Sequence, residues 1–140
     1  MTTEKLCANL KKVHDIVHEA SNKLWAMSID LPDSSEINAV RLPIAATTVH
    51  DVAETLEAAR YYSSTDDNGE ERQLPSEELE KICAIICRHL WLVHALLEDI
   101  QYDPAIADSD YGTILWVLST AIAEMIGKFQ QKDNNEEQTV

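Results

Sequence analysis

The sequence predicts an all-α fold, an antiparallel up-and-down helical bundle of about four long helices plus a short helix before Pro43. Two observations carry this expectation. The 140 residues include only 3 Gly and 4 Pro, too few turn formers for a sandwich of many short strands. Four stretches also repeat apolar residues at alternating spacings of three and four, the pattern of one buried helix face. The length suits a single domain that can bury a core without disulfides or metal. The chain shows no internal repeat and no low-complexity tract.

The first helix is expected over 3–29, where Leu6, Leu10, Val13, Val17, Ala20, Leu24 and Met27 form one seam. Leu31-Pro32 ends it, because a residue before proline disfavours the α conformation. Asp33-Ser34-Ser35-Glu36 offers capping side chains for the next helical region. Pro43 splits that region into a short piece over 36–42 and a main helix over 43–62, with proline in its first turn. The main helix has the seam Ala45, Val49, Val52, Leu56 and Ala59. Segment 63–75 is polar and turn-rich and reads as a mobile connection. The third helix starts with Ser76 as cap, and Glu77 and Glu78 in its first turn complement the helix dipole. Its seam is Leu79, Ile82, Ile86, Leu90, Val93, Leu97 and Ile100, and Tyr102-Asp103-Pro104 stops it. The fourth helix begins near Asp108 or Asp110, with the seam Tyr111, Ile114, Leu115, Leu118, Ile122, Met125 and Phe129. The domain then covers 1–131, and 132–140 reads as a disordered acidic tail.

Asp and Glu number 25 against 11 Lys and Arg, a formal net charge of −14. Such a chain repels nucleic acid and anionic membranes, so a neutral or basic protein is the expected partner. The acids are unevenly spread. Residues 1–31 balance four acids with four bases, whereas 63–78 hold six acids and only Arg72. An up-and-down bundle gathers Asp30, Asp33, Glu36, Asp99, Asp103, Asp108 and Asp110 at one end. It gathers Asp66, Asp67, Glu70, Glu71, Glu77 and Glu78 with Asp133, Glu136 and Glu137 at the other. Asp66, Asp67, Glu70, Glu71, Asp103, Asp108 and Asp110 are the candidate contacts to a basic partner. An acidic DNA mimic is an alternative, but it needs carboxylates in rows along the waist, near the phosphate spacing. Acids at helix starts are explained more simply as caps and dipole partners.

The third and fourth helices carry more apolar surface than a simple bundle requires. The stretch 82–97 is apolar nearly all round, with Trp91 and Leu92 flanking its seam on opposite sides, and reads as buried on all sides. At 100° per residue, Trp116 points almost directly away from a seam centred on Leu118. Thr113, Thr120, Ala123 and Gly127 fall on the same outward side, which has no charge. Small residues let a second helix approach closely, and a tryptophan among them supplies contact area. Trp116, Thr113, Thr120, Ala123, Gly127 and Trp91 are therefore the candidate homodimer interface. The competing reading makes the fourth helix central, with both faces in the core.

Candidate chemistry is sparse. Cys7, Cys83 and Cys87 read as reduced, mostly buried thiols, and no basic start followed by an apolar stretch marks a secretory signal. The apolar stretches 82–97 and 113–126 fall short of a clean membrane span. His14 and His18, His50 and Glu54, and His94 and Asp99 on a four-helix bundle resemble pieces of the hemerythrin family, which would imply a metal held by ligands from all four helices. The last helix supplies no His, and His50 and Glu54 lie opposite their seam, so no metal and no cofactor is expected, with a metal-binding four-helix bundle as an alternative. Glu54 and Glu57 with Glu77 and Glu80 resemble the paired acidic motifs of all-α nucleotide pyrophosphatases, which would imply Mg²⁺ at a triphosphate. The first pair faces away from the seam and Glu77 opens a helix. Cys87 and His94, seven apart, lack a third group, and no glycine-rich phosphate loop occurs. The expectation is a non-catalytic protein–protein interaction module, a small acidic regulator, adaptor or inhibitor acting as a cytoplasmic, soluble homodimer. Small acidic helical proteins of phages and mobile elements that block host machinery are similar in composition.

Overall fold

A computed structural model describes residues 1–31 and 37–130. Its long helices are α1 (Thr3–Asp30), α2 (Leu42–Ser64), α3 (Ser76–Gln101) and α5 (Asp110–Gln130). A π-helical turn, Ile37–Arg41, leads into α2, and a single turn, α4 (Pro104–Ala107), separates α3 from α5. The long helices form a ring in the order α1, α2, α3, α5, each packed on the next and α5 closing onto α1. The fold is thus the expected all-α bundle. The expected cap at 33–36 and the acidic tail at 132–140 lie outside the described residues.

α1 obeys its periodicity most closely. Thr2 caps it, its hydroxyl accepting the Lys5 N–H at 3.1 Å. All seven seam residues, from Leu6 to Met27, are fully buried. α1 packs most extensively on α2. Small side chains of the pair, Ala20 and Ser21 on α1 and Ala45, Ala46 and Ala53 on α2, are buried. The Ser21 hydroxyl donates to the Ala46 carbonyl at 3.2 Å.

α2 begins one residue before the proline, with Pro43 in its first turn, where a missing N–H costs nothing. The turn before it is anchored across the bundle: Arg41 pairs with Asp99 and with Asp103, the latter at 3.3 Å. Segment 63–75 differs from the mobile connection read from its composition. Gly69 turns the chain at φ 78°, an antiparallel bridge pairs Thr65 with Glu71, and the Asp66 carboxylate accepts the N–H groups of Asn68 and Glu70 at 2.9 Å. Arg72 lies 4.7 Å over the Tyr62 ring, whose hydroxyl donates to Glu78 at 2.6 Å. The Leu74 N–H donates to the Thr3 hydroxyl at 2.8 Å, sewing the loop to the start of α1.

Pro75, not Ser76, occupies the cap position of α3, with no side-chain cap bond. α3 is stopped as expected, but the stop is itself a start. The Asp103 carboxylate caps α4 by accepting the Ala105 N–H at 2.9 Å, and Pro104 follows in the first turn. α4 crosses close over α5: a Cβ on Gly112 would lie 2.7 Å from the Ile106 carbonyl oxygen, so only glycine fits. Among the described residues α5, 21 residues long, is the one helix long and apolar enough to cross a bilayer by length and composition. The apolar 113–126 run within it is shorter than a clean span and holds Glu124, and the residues that extend the helix include Asp110 and Lys128. Here its buried side packs on α3 and α1.

Candidate functional site

The surface that stands out is the outer side of α3 and α5. The two helices touch where the Cys87 thiol meets the Ile126 carbonyl at 4.0 Å. This contact fixes which flank of each faces the other. Buried on α5 are Gly112, Leu115, Ser119, Ile122, Met125, Ile126 and Phe129. Tyr111, Ile114 and Leu118, expected in the seam, are only partly buried. The buried face is therefore turned roughly 40° from the expected one, toward α3. Two small residues are buried on α5, Gly112 beneath α4 and Ser119, and an apolar count overlooks both.

The rotation leaves the outward strip outward. Thr113, Trp116, Thr120, Ala123 and Gly127 are all exposed, Trp116 at 56%. A Cβ on Gly127 would meet nothing within 4 Å, so the glycine is not required by packing within the chain. Trp116 is not directly opposite the core but on the flank nearer α3, one consequence of the turn. Trp91 sits one helical turn after Cys87, on the flank of α3 nearer α5, and is 49% exposed. His94 braces it edge-on, ring centroids 5.6 Å apart, and His94 faces Glu98 at 3.5 Å. Helical phase thus puts both tryptophans on the outer side of the α3–α5 pair, each on the flank nearer the other helix.

The expectation that 82–97 is buried on all sides is overturned. Ile85, Trp91 and Leu92 are each about half exposed. Ile85 and Leu92 fall on the other flank, toward α2, where Ile44 is also exposed. Trp25 and Ile29 add a further exposed apolar pair near the end of α1. The sequence reading missed Ile44, Ile85, Trp25 and Ile29 as surface residues. Trp25, Ile44 and Ile85 stand on the flanks of their seams, and Ile29 lies nearly opposite the α1 seam.

The candidate acids divide into two kinds. Asp66 and Asp103 already serve the fold, as turn former and helix cap, and Asp103 also holds Arg41. Asp67, Glu70, Glu71, Asp108 and Asp110 are exposed. Tyr111 donates to Asp30, joining the start of α5 to the end of α1 and bringing two expected end-region segments together. That bond holds the Tyr111 hydroxyl above its usual pKa, as the bond to Glu78 does for Tyr62. Along the α1–α2 waist several acids face bases: Glu19 and Lys23, His50 and Glu54, Glu57 and Arg60.

Groups with catalytic potential are dispersed. Cys83 and Cys87 are buried and Cys7 half-buried; burial raises all three thiols above their usual pKa, the opposite of nucleophile activation. Cys7 lines a shallow open cavity with Lys11, Glu57, Arg60, Tyr61 and Ser64. Among the described residues no group of three or more His, Cys, Asp or Glu side chains is placed to hold a metal ion. No protein-family model matches the chain, and no curated protein or solved structure matches it either.

Proposed function

We propose that the chain is a non-catalytic protein–protein interaction module, a small acidic helical regulator, adaptor or inhibitor that acts as a homodimer. The observation that carries this reading is the exposed, uncharged strip of α5 around Trp116, continued by Trp91 on α3. A solvent face of a helix ordinarily carries Lys and Glu. Here large aromatic area stands beside small side chains, so a second copy can seat its tryptophan where Thr120, Ala123 and Gly127 leave room. Charge argues for the same face. Two copies at −14 repel each other, and an uncharged strip is where that repulsion is least. The exposed acids at the ends, Asp67, Glu70, Glu71, Asp108 and Asp110, then remain free for a neutral or basic protein partner. On this reading neither nucleic acid nor membrane is a ligand, and the place of action is the cytoplasm.

Light scattering on the native chain and on Trp116→Glu tests the proposal. A native dimer that becomes a folded monomer supports it. A native monomer at all accessible concentrations removes the homodimer, and the strip must then serve another protein or none.

A further inference from the structure

α1 carries a pair of side chains that the interaction surface does not use. His14 and His18 stand one helical turn apart, their rings nearly parallel at 14° with centroids 5.8 Å apart. Residues at this spacing share a helix face, so two imidazoles can close on one ion. His14 is also oriented: its Nδ1 lies 3.2 Å from the Asp15 carboxylate. A carboxylate there takes the Nδ1–H and leaves the Nε2 lone pair outward, the arrangement that supports metal-bound histidine. His18 is exposed, and its ring nitrogens have no hydrogen-bond partner among the described residues. Imidazole suits Cu, Ni and Zn ions, whereas Mg and Ca prefer oxygen.

We propose that His14 and His18 form a two-imidazole chelate for a divalent transition-metal ion, with Asp15 as its orienting partner and solvent completing the coordination. This is a surface site on one helix, distinct from a centre inside the bundle. His50, paired with Glu54 at 3.1 Å, is not part of it.

Nickel sulfate alone, titrated into reduced, tag-free protein by calorimetry, tests this. Nickel avoids the thiol preference that would draw zinc toward Cys7. One ion per chain is expected, with His14→Gln and His18→Gln each weakening binding by at least about tenfold and His50→Gln leaving it unchanged. Asp15→Asn should weaken it by roughly tenfold, the scale of an outer-shell partner. Affinity should rise from Co²⁺ to Ni²⁺ to Cu²⁺. Paramagnetic broadening by Ni²⁺ should reach the ring protons of His14 and His18 before those of His50, His89 and His94. His18 is exposed, so its variant keeps the fold. Undiminished binding in His18→Gln, or binding lost on blocking Cys7, would overturn the proposal.

Discussion

The α1–α2 pair and the α3–α5 pair are built on different terms. α1 and α2 meet through small side chains and a buried hydrogen bond, and along their waist several acids stand beside bases. α3 and α5 are richer in large apolar residues, yet Trp91, Trp116, Ile85, Leu92 and Val117 are about half exposed. The first pair is no more completely covered, since Trp25, Ile29 and Ile44 are exposed on α1 and α2. A hydrophobic helix does not by itself make a more closed core; coverage depends on how many neighbours the fold supplies. In this ring each long helix packs chiefly on two others, which leaves an outer side open on every one.

The largest expected effect breaks the α1–α2 half. Leu24 is fully buried in α1, and Leu24→Ala should cost 2–5 kcal/mol, about the usual range for such a truncation. Chemical denaturation would show it as a shifted midpoint with an unchanged slope. The next compares two glycines of α5. Gly112→Ala forces a methyl against the Ile106 carbonyl and should lose about 1–3 kcal/mol. Gly127→Ala meets open space and should add up to about 1 kcal/mol of helix propensity in dilute monomer. If the strip closes on a second copy, the same change weakens self-association, so thermal melts at low and high concentration should respond in opposite directions.

Alkali provides a finer probe. The three thiols and the Tyr62 and Tyr111 hydroxyls all sit above their usual values of 9.0 and 10.0. A raised value in the folded state means stability that is complete below the unfolded pKa and lost as pH rises through the folded one. Stability should therefore hold up to about pH 9 and fall above it, less steeply in a Cys83→Ala, Cys87→Ala double variant. The smallest effect concerns Ser63, fully buried with no partner for its hydroxyl among the described residues. Ser63→Ala should be neutral or stabilising by about 1 kcal/mol.

Much of this was legible in the sequence, and the limits have physical causes. The α1 seam emerged residue for residue because its opposite face is polar, which fixes the helical phase. α5 was read some 40° off because apolar residues surround it, and the buried small residues Gly112 and Ser119 carry no apolar signal. α4 is too short to show a period, although Asp103 followed by Pro104 is a start signal as well as a stop. The ties of the 63–75 loop rest on partners far away in the chain, such as Thr3, which local composition cannot name. The strip itself was readable because its five members lie on one helix. The exposure of Ile44, Ile85 and Leu92 was not, because it depends on how α2 and α3 are covered by their neighbours.

The bond between Thr3 and Leu74 has a consequence for how the chain is made. It links positions 71 residues apart, so the first turn of α1 gains its partner only after α2 and the following loop have been made. Until then the opening turn is held by its cap alone, and a free helix end frays. The Leu74 amide is thus a clock for closure: it should become protected from hydrogen exchange only once the beginning of the chain and its middle have met.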